Sequence, residues 1–544
     1  MYRRMLISLI AVALVVTVGC LDDNDGIHPG WDEPVTPEGP YEMEDAVVYF
    51  DRGFEQLMVV RTGLDDDGPE LDVERHDTGI EPGEPAISED GETLFLVNRG
   101  DLPGYETLSI FEIDEDDVER QDVDLPSFYD EITVDPEGDF VLLSNSGEDL
   151  TPVQPEHELG IVDLRDGEPE FRRATLKTRA RTPEFLPPFE MGGQEHRRAV
   201  VTGTNRVSIV DLEAETGDNE DRLVRLTTTE ADTVEPTDLL FYPPSENRPD
   251  FASLFVLDDR SDDVTQIAIQ PSIDESAKFP LDLSLNQLAA GQQPRAIEVV
   301  ELDDVGQRLL ALDGLSAEFS LVDVTSAESA TFELPMNSPA TGMKSYEVTT
   351  EEGETRTRVL VYSTNSNLVA VIRPEMIAVG GDTPTLGESI AEIRLGASPS
   401  EIVIDEESAR AIVLHSGGDD GFSMIDLDRK RDVSWRGRNL SEVVFAGDAA
   451  YGIFGDSPHV ARFDPVARTS RHFELPDQPR ELFVGVSAET VLIQHPGDGG
   501  RFTAVGQEAL ETDRGGLFDD ARLFEQVYLN DVLDRPVFED DADE

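Results

Sequence analysis

Apolar and polar positions recur along this chain in a short phrase: apolar, any residue, apolar, apolar, Asp, apolar. It is written as Leu159-Gly-Ile161-Val162-Asp163-Leu164, Val207-Ser-Ile209-Val210-Asp211-Leu212, Phe319-Ser-Leu321-Val322-Asp323-Val324 and Phe422-Ser-Met424-Ile425-Asp426-Leu427. Leu108-Ser-Ile110-Phe111-Glu112-Ile113 is a variant with Glu. Period-two alternation passing into a continuous apolar run predicts a strand rather than a helix. A second phrase precedes each one, best written in Pro85-Ala-Ile87-Ser-Glu-Asp90-Gly91-Glu-Thr-Leu94-Phe95-Leu96-Val97-Asn98. Asp90-Gly91 between two apolar runs predicts a tight hairpin, because Gly tolerates the positive φ such turns demand. A second copy runs from Ile132 to Asn145 around Asp135-Pro136-Glu-Gly138, and a degraded third from Pro399 to Leu414. With a more polar fourth strand such as Val118–Val123, the unit is four antiparallel strands, which is one blade of a propeller.

Unit starts fall near Pro85, Asp130, Pro183, Pro236, Pro294, Pro339, Pro399, Leu440 and Pro479. Their spacing of roughly 40–60 residues suits a four-stranded repeat with loops. The expectation is an all-β chain: a single β-propeller of seven or eight four-stranded blades, eight preferred, with one of the nine starts an insertion. Ala46–Phe50 and Gln56–Val60 read as orphan strands that complete the last blade and close the ring, removing its sheet edges. Two small propellers in tandem are the alternative.

The segment Ser88-Glu89-Asp90-Gly91 followed by Leu94-Phe95-Leu96-Val97-Asn98 resembles the surface-layer or lactonase-like propeller repeat named for its Tyr-Val-Thr-Asn (YVTN) strand ending. Over the rest of residues 46–510 the resemblance is one of pattern. It implies an extracytoplasmic propeller, either a surface component or a metal-dependent hydrolase working from the central channel. Gly-His…Trp-Asp phrases are absent and only Trp31 and Trp435 occur, which disfavours tryptophan-marked repeats.

The ends of the chain predict location. Arg3 and Arg4 precede the apolar run Met5–Val18, which is too short for a comfortable membrane span and has the layout of a secretory signal. The sole cysteine, Cys20, follows Gly19. This resembles a lipoprotein lipobox, which implies that Cys20 carries the lipid anchor; an ordinary signal peptide with a chance cysteine is the alternative. Residues 1–19 are thus read as the signal and 20–44 as anchor plus tether. Residues 21–44 hold eight acids, four prolines, three glycines and no Lys or Arg, a composition that cannot bury enough apolar surface to order itself. The propeller is assigned to 45–510. Residues 511–544 are a C-terminal extension, with a short helix expected from the spacing of Leu517, Ala521, Phe524 and Tyr528, and an acidic tail.

Charge narrows the partners. With 116 acids against 42 bases the net charge is −74, and 38 of the bases are arginines against four lysines. Such a chain repels the phosphates of nucleic acids. Acid spread along the whole length reads as adaptation to a salty, halophilic or marine setting, where counterions screen self-repulsion. Acid clusters at Asp258–Asp263, Glu215–Asp221 and Gly417–Gly421 could offer hard oxygen ligands, but none has calcium-loop order, so the metal stays unknown. Of eight histidines, none lies in zinc spacing. His415 and His495 end apolar strands, where a side chain can face a propeller's channel, and they are the candidates for ligand contact; a loop histidine held by hydrogen bonds is the bland alternative. The Asp of the recurring phrase is expected to accept backbone hydrogen bonds at the following turn. No nucleophile elbow or phosphate loop is present.

The resulting expectation is a lipid-anchored, extracytoplasmic binding or scaffold module of the cell envelope, at the bacterial outer membrane or cell surface. It is expected to be a monomer without cofactor or catalytic residues, with the membrane and an envelope protein as partners. The alternatives are a lactonase-like hydrolase and a passive surface-layer-like component.

Overall fold

The computed structural model describes residues 37–525 other than 53–54, 66–67, 101–105, 115–116, 128, 146–156, 166, 178, 180, 215–220, 228–233, 246–247, 259, 274–279, 303–305, 350–354, 378–388, 406–408, 416–420, 428–430, 437–438, 447–448, 485–489, 497–499, 507–509 and 511–520. Cys20, two of the three acid clusters (all but one residue of 215–221, and 417–420 of the third) and the acidic tail lie outside the described residues.

Strands are numbered in chain order. The first four are β1 (Glu38–Glu42), β2 (Val47–Asp51), β3 (Gln56–Asp65) and β4 (Gly68–Asp77), and they form one sheet in that order. The remaining strands repeat this arrangement, giving ten sheets of four consecutive antiparallel strands. Blades 2 to 10 run over 86–125, 131–175, 181–225, 238–289, 296–333, 342–394, 399–436, 440–474 and 481–525.

Ten blades replace the expected seven or eight. All nine starts read from the sequence open or fall within the first strand of a blade, so none is an insertion. The two supposed orphan strands are the middle of a complete tenth sheet. β2 pairs with β3 through Val47↔Val60 and Asp51↔Gln56, and local chain on either side supplies β1 and β4. Two boundaries move as a result. Glu38–Glu42, placed in the tether, is a paired strand. Ala521–Glu525, expected to be helical, pairs with Arg501–Val505 as the outer strand of blade 10. The physical reason is that this pairing satisfies backbone groups an open third strand would leave unbonded.

The core explains the recurring phrase. Buried apolar residues form ten clusters, each drawn from two neighbouring blades. The phrase is the third strand, sandwiched between the blades on either side. Phe319 and Leu321 pack toward blade 7, while Val322 and Val324 pack toward blade 5. A strand buried on both faces needs apolar residues at odd and even positions alike, hence the continuous run. The ring closes the same way. Val47, Tyr49, Met58 and Val60 of blade 1 pack on Phe483, Leu492, Phe502 and Ala504 of blade 10. Thr62 and Thr490 share a 2.7 Å hydroxyl hydrogen bond across that seam. Closure is therefore face-to-face packing of whole blades, not the strand exchange expected from the sequence, because blade 10 already owns four strands.

Turns follow the sequence closely. Gly91 sits at φ +76°, and its N–H donates to Ser88 O at 3.0 Å. Gly138 repeats this at φ +75° with Asp135 O at 2.8 Å. The phrase Asp accepts backbone N–H bonds at the next turn: Glu213 N to Asp211 at 3.0 Å, Thr325 N to Asp323 at 2.8 Å and Ala467 N to Asp464 at 2.7 Å. Arginines tie blade to blade. Arg61 donates to the carbonyls of Asp114 and Asp117 at 3.1 and 3.0 Å, Arg165 to Glu213 at 3.0 Å, and Arg410 to Pro465 O at 2.6 Å. A planar guanidinium presents its donors in a fixed fork that suits two such acceptors better than a freely rotating ammonium does, which gives the excess of arginine over lysine a structural use.

Candidate functional site: the acidic inner strands

The first strands of successive blades approach one another around the ring axis, and the second and third strands are buried between blades. The first strands therefore line the channel. Five of them share a feature the sequence carried openly: an acid one or two residues after the unit start, followed by an apolar residue. It is written Asp130-Glu131-Ile132, Thr237-Asp238-Leu239, Ser400-Glu401-Ile402, Ser441-Glu442-Val443 and Arg480-Glu481-Leu482. Period-two geometry explains the pattern, since the apolar residue enters the blade and the acid before it faces the other way.

Register places three of these carboxylates at one height. Glu401, Glu442 and Glu481 stand opposite Leu414, Ile453 and Gln494, each the penultimate residue of its second strand. Glu42 of blade 1 is not in that register, standing opposite Val47 at the start of its second strand, but it too acts on Glu442, so four consecutive blades contribute like charges. The effect is plain at Glu442, whose pKa is pushed up to about 7, first by burial and then by Glu481, Glu42 and Glu401, against one stabilising N–H from Leu482 at 3.1 Å. A second arc crosses blades 4 to 6. Glu184 is raised by burial and by Asp238, and Glu298 by burial and Asp238, with Ser345 bonding to it from blade 7. Among the described residues no Lys or Arg ion pair reaches Glu42, Glu184, Asp238, Glu298, Glu401 or Glu442; Arg480 lies 3.5 Å from Glu481. The described residues contain no group of three or more acids, His or Cys drawn together tightly enough to hold a metal ion. The arrangement is a spread of negative charge, half-buried at Glu184, Glu298, Glu442 and Glu481 and exposed at Glu42, Asp238 and Glu401, which suits an extended cationic ligand better than a single coordinated ion.

The histidines singled out from the sequence lie elsewhere. His415 and His495 are buried, at 7% and 1% exposure, and each is bonded inside its own blade. His415 Nε2 lies 2.7 Å from Ser423 Oγ, which lies 2.7 Å from Ser434 Oγ, which donates to Asp432 at 3.0 Å. His495 Nε2 lies 2.7 Å from Thr503 Oγ1, and Nδ1 lies 3.0 Å from Gln478 O. Burial lowers both pKa values. Asn98 occupies the same strand-end position in blade 2, where it donates to Ser109 at 2.8 Å, and Ser109 donates to Asp122 at 2.6 Å. The free second position of the recurring phrase is thus the small polar centre of a knot joining strands two, three and four. Asp258 of the Asp258–Asp263 cluster is also buried, and its carboxylate accepts Arg260 N at 3.2 Å.

No family model matches the chain, and no curated protein matches it by sequence. Solved structures align over most of its length at low identity. The dihydro-heme d1 dehydrogenase NirN, in complex with DHE, is 14% identical over 82% of this chain and 77% of its own, with a TM-score of 0.36. The WD40 domain of SCAP from fission yeast is 12% identical over 76% and 90%, with a TM-score of 0.39. Apo AztD from Citrobacter koseri is 12% identical over 71% and 96%, with a TM-score of 0.29. The fold assignment rests on the sheet order and the ten inter-blade cores of this chain itself.

Proposed function

We propose that this chain is a non-enzymatic binding ring of the cell envelope whose channel takes an extended polycation, such as a basic peptide or a polyamine. The supporting observation is the set of carboxylates on blades 8, 9, 10 and 1 with little basic compensation, which adds to burial in raising the pKa of Glu442 to about 7. A cationic ligand would relieve that repulsion and draw the raised pKa values back down. Envelope placement is a separate strand of the same reading. It is supported by Arg3, Arg4, the apolar run Met5–Val18 and Cys20, and by the acid-rich segment that follows. The surface-layer or lactonase-like resemblance stays with Ser88–Asn98, where Asn98 serves the blade interior.

Calorimetric titration of the full chain with spermine tests the channel reading. Binding should release protons near pH 7 and should weaken roughly tenfold or more when Glu401, Glu442 and Glu481 are all changed to Gln. An exterior triple of equal charge change, Glu119→Gln, Glu392→Gln and Glu474→Gln, should leave it nearly unaltered. Equal weakening by both triples would reduce the effect to bulk charge and defeat the proposal.

A further inference from the structure

The outer strand of blade 5, β20 (Leu281–Ala289), departs from its counterparts. Outer strands elsewhere are short or charged, as in Val-Glu-Arg-Gln-Asp-Val-Asp-Leu over 118–125, Glu-Phe-Arg-Arg-Ala-Thr over 170–175 and Arg-Asp-Val-Ser-Trp-Arg over 431–436. β20 reads Leu-Asp-Leu-Ser-Leu-Asn-Gln-Leu-Ala, nine residues with one charge, in a chain whose net charge is −74. Ser329–Glu333 of blade 6 also carries one charge, but it has five residues and its exposure alternates. In β20 the four successive residues Ser284–Gln287 are all exposed, so both faces of the strand stand clear of the flanking blades.

None of the usual protections of a sheet edge is built in. β20 pairs with β19 (Asp263–Pro271) over nine unbroken steps, from Asp263↔Ala289 to Pro271↔Leu281, with no bulge, and it contains no Pro, Lys or Arg. Two side-chain bonds hold it flat against its neighbour: Asn286 donates to Gln266 at 3.1 Å and Gln287 to Thr265 at 3.1 Å. An apolar stripe also runs off the core along one face. Leu281 is buried against blade 4, Leu283 is partly buried there, and Leu285 emerges at 42% exposure. Ile273, in the turn of the same hairpin, is 95% exposed.

We infer that β20 is a self-association edge, pairing antiparallel with β20 of a second copy of this chain about a two-fold axis at Leu285. The choice of occupant follows from charge. A cationic partner would find one carboxylate along nine residues, a lower density than on any other outer strand. A second copy needs the reverse, a stretch where two strongly acidic bodies can meet without facing charges. The register centred on Leu285 meets that need. Asp282 falls opposite Leu288, Leu283 opposite Gln287, Ser284 opposite Asn286, and Leu285 opposite itself, so no like charges are paired. The Leu283–Leu285 stripes of the two copies join across the axis, and the outward backbone groups of β20 gain partners. The resulting dimer departs from the monomer expected from composition. It is independent of the channel, so failure of either reading leaves the other standing.

The experiment is sedimentation and cross-linking of the full chain in detergent micelles. At high salt, where counterions screen the net charge, the chain should sediment as a dimer, and lowering the salt should dissociate it. Leu285→Lys should yield a monomer at the same salt with an unchanged circular dichroism spectrum and Tm. In a Cys20→Ser background, Leu285→Cys should form an intermolecular disulfide on oxidation, because opposed residues in an antiparallel pair lie within disulfide reach. Ser329→Cys on the outer strand of blade 6 should not. A monomer under all salt conditions, a dimer that survives Leu285→Lys, or equal cross-linking at both positions would each overturn the inference.

Discussion

The inner strands hold partly buried or exposed carboxylates and the blade interiors hold buried polar groups, and the two are treated oppositely. In the interior His415 has Ser423 and His495 has Thr503 as hydroxyl partners, and Asp211 and Asp323 of the recurring phrase are tied to turn N–H groups. Along the channel, Glu442 has one N–H donor and three carboxylates for company. A satisfied buried network adds rigidity, whereas unsatisfied charge costs stability unless something else binds to it. The interior is built for the fold, whereas the channel acids are the ones the proposed binding role would use.

Four predictions sharpen or break this contrast, in descending size. Phe422 is fully buried and stacks on Trp435 at 4.9 Å and against Phe463 at 5.1 Å. Phe422→Ala should destabilise the chain by roughly 3–5 kcal/mol in denaturant melts without altering spermine affinity in the fraction that stays folded. His495→Ala should cost about 1–3 kcal/mol, since Thr503 and Gln478 O lose their partner in a dry setting. If it abolished spermine binding while sparing stability, the histidine would belong to the channel after all. Glu442→Gln should behave in the opposite sense, stabilising the ligand-free chain by about 1 kcal/mol above neutral pH after allowance for partial solvation, and by little at acid pH. Arg394→Ala should change stability by less than about 0.5 kcal/mol, because its pair with Glu392 is solvent-exposed at 3.7 Å.

Protons give the same contrast in one titration. Glu442 has a folded pKa of about 7 against an ordinary 4.5, so its contribution is fully favourable below 4.5 and is lost as pH rises through 7. His415 and His495 have lowered pKa values against an ordinary 6.5, so the stability they contribute is present above 6.5 and is lost as pH falls below it. The Tm of Glu442→Gln should therefore decline less than that of the unaltered chain as pH rises from about 4.5 to about 7. A variant with both histidines replaced by Gln should decline less as pH falls below 6.5. Identical profiles for all three would mean that neither region titrates as described.

Much was legible in the chain because the unit is local. A blade is four consecutive strands, so alternation, Asp-Gly turns and the phrase Asp are all set by near neighbours, and nine starts could be placed without a structure. The channel acids are legible too, at Glu401, Glu442 and Glu481, each two residues after its unit start, although the histidines are the more conspicuous residues. Whether a strand-end side chain faces the channel or its own blade depends on what stands opposite it, here Ser423 and Thr503, and sequence order does not give that. The number of blades was likewise beyond the sequence. It is fixed by how ten wedges of packed side chains, from Val47 and Tyr49 at one end to Phe502 and Ala504 at the other, sum to a full turn. The sequence by itself determined the blade and its turns, since those are contacts between residues close along the chain. Only the tertiary structure decided the count, the seam and the inward-facing set, because each arises from contacts between blades.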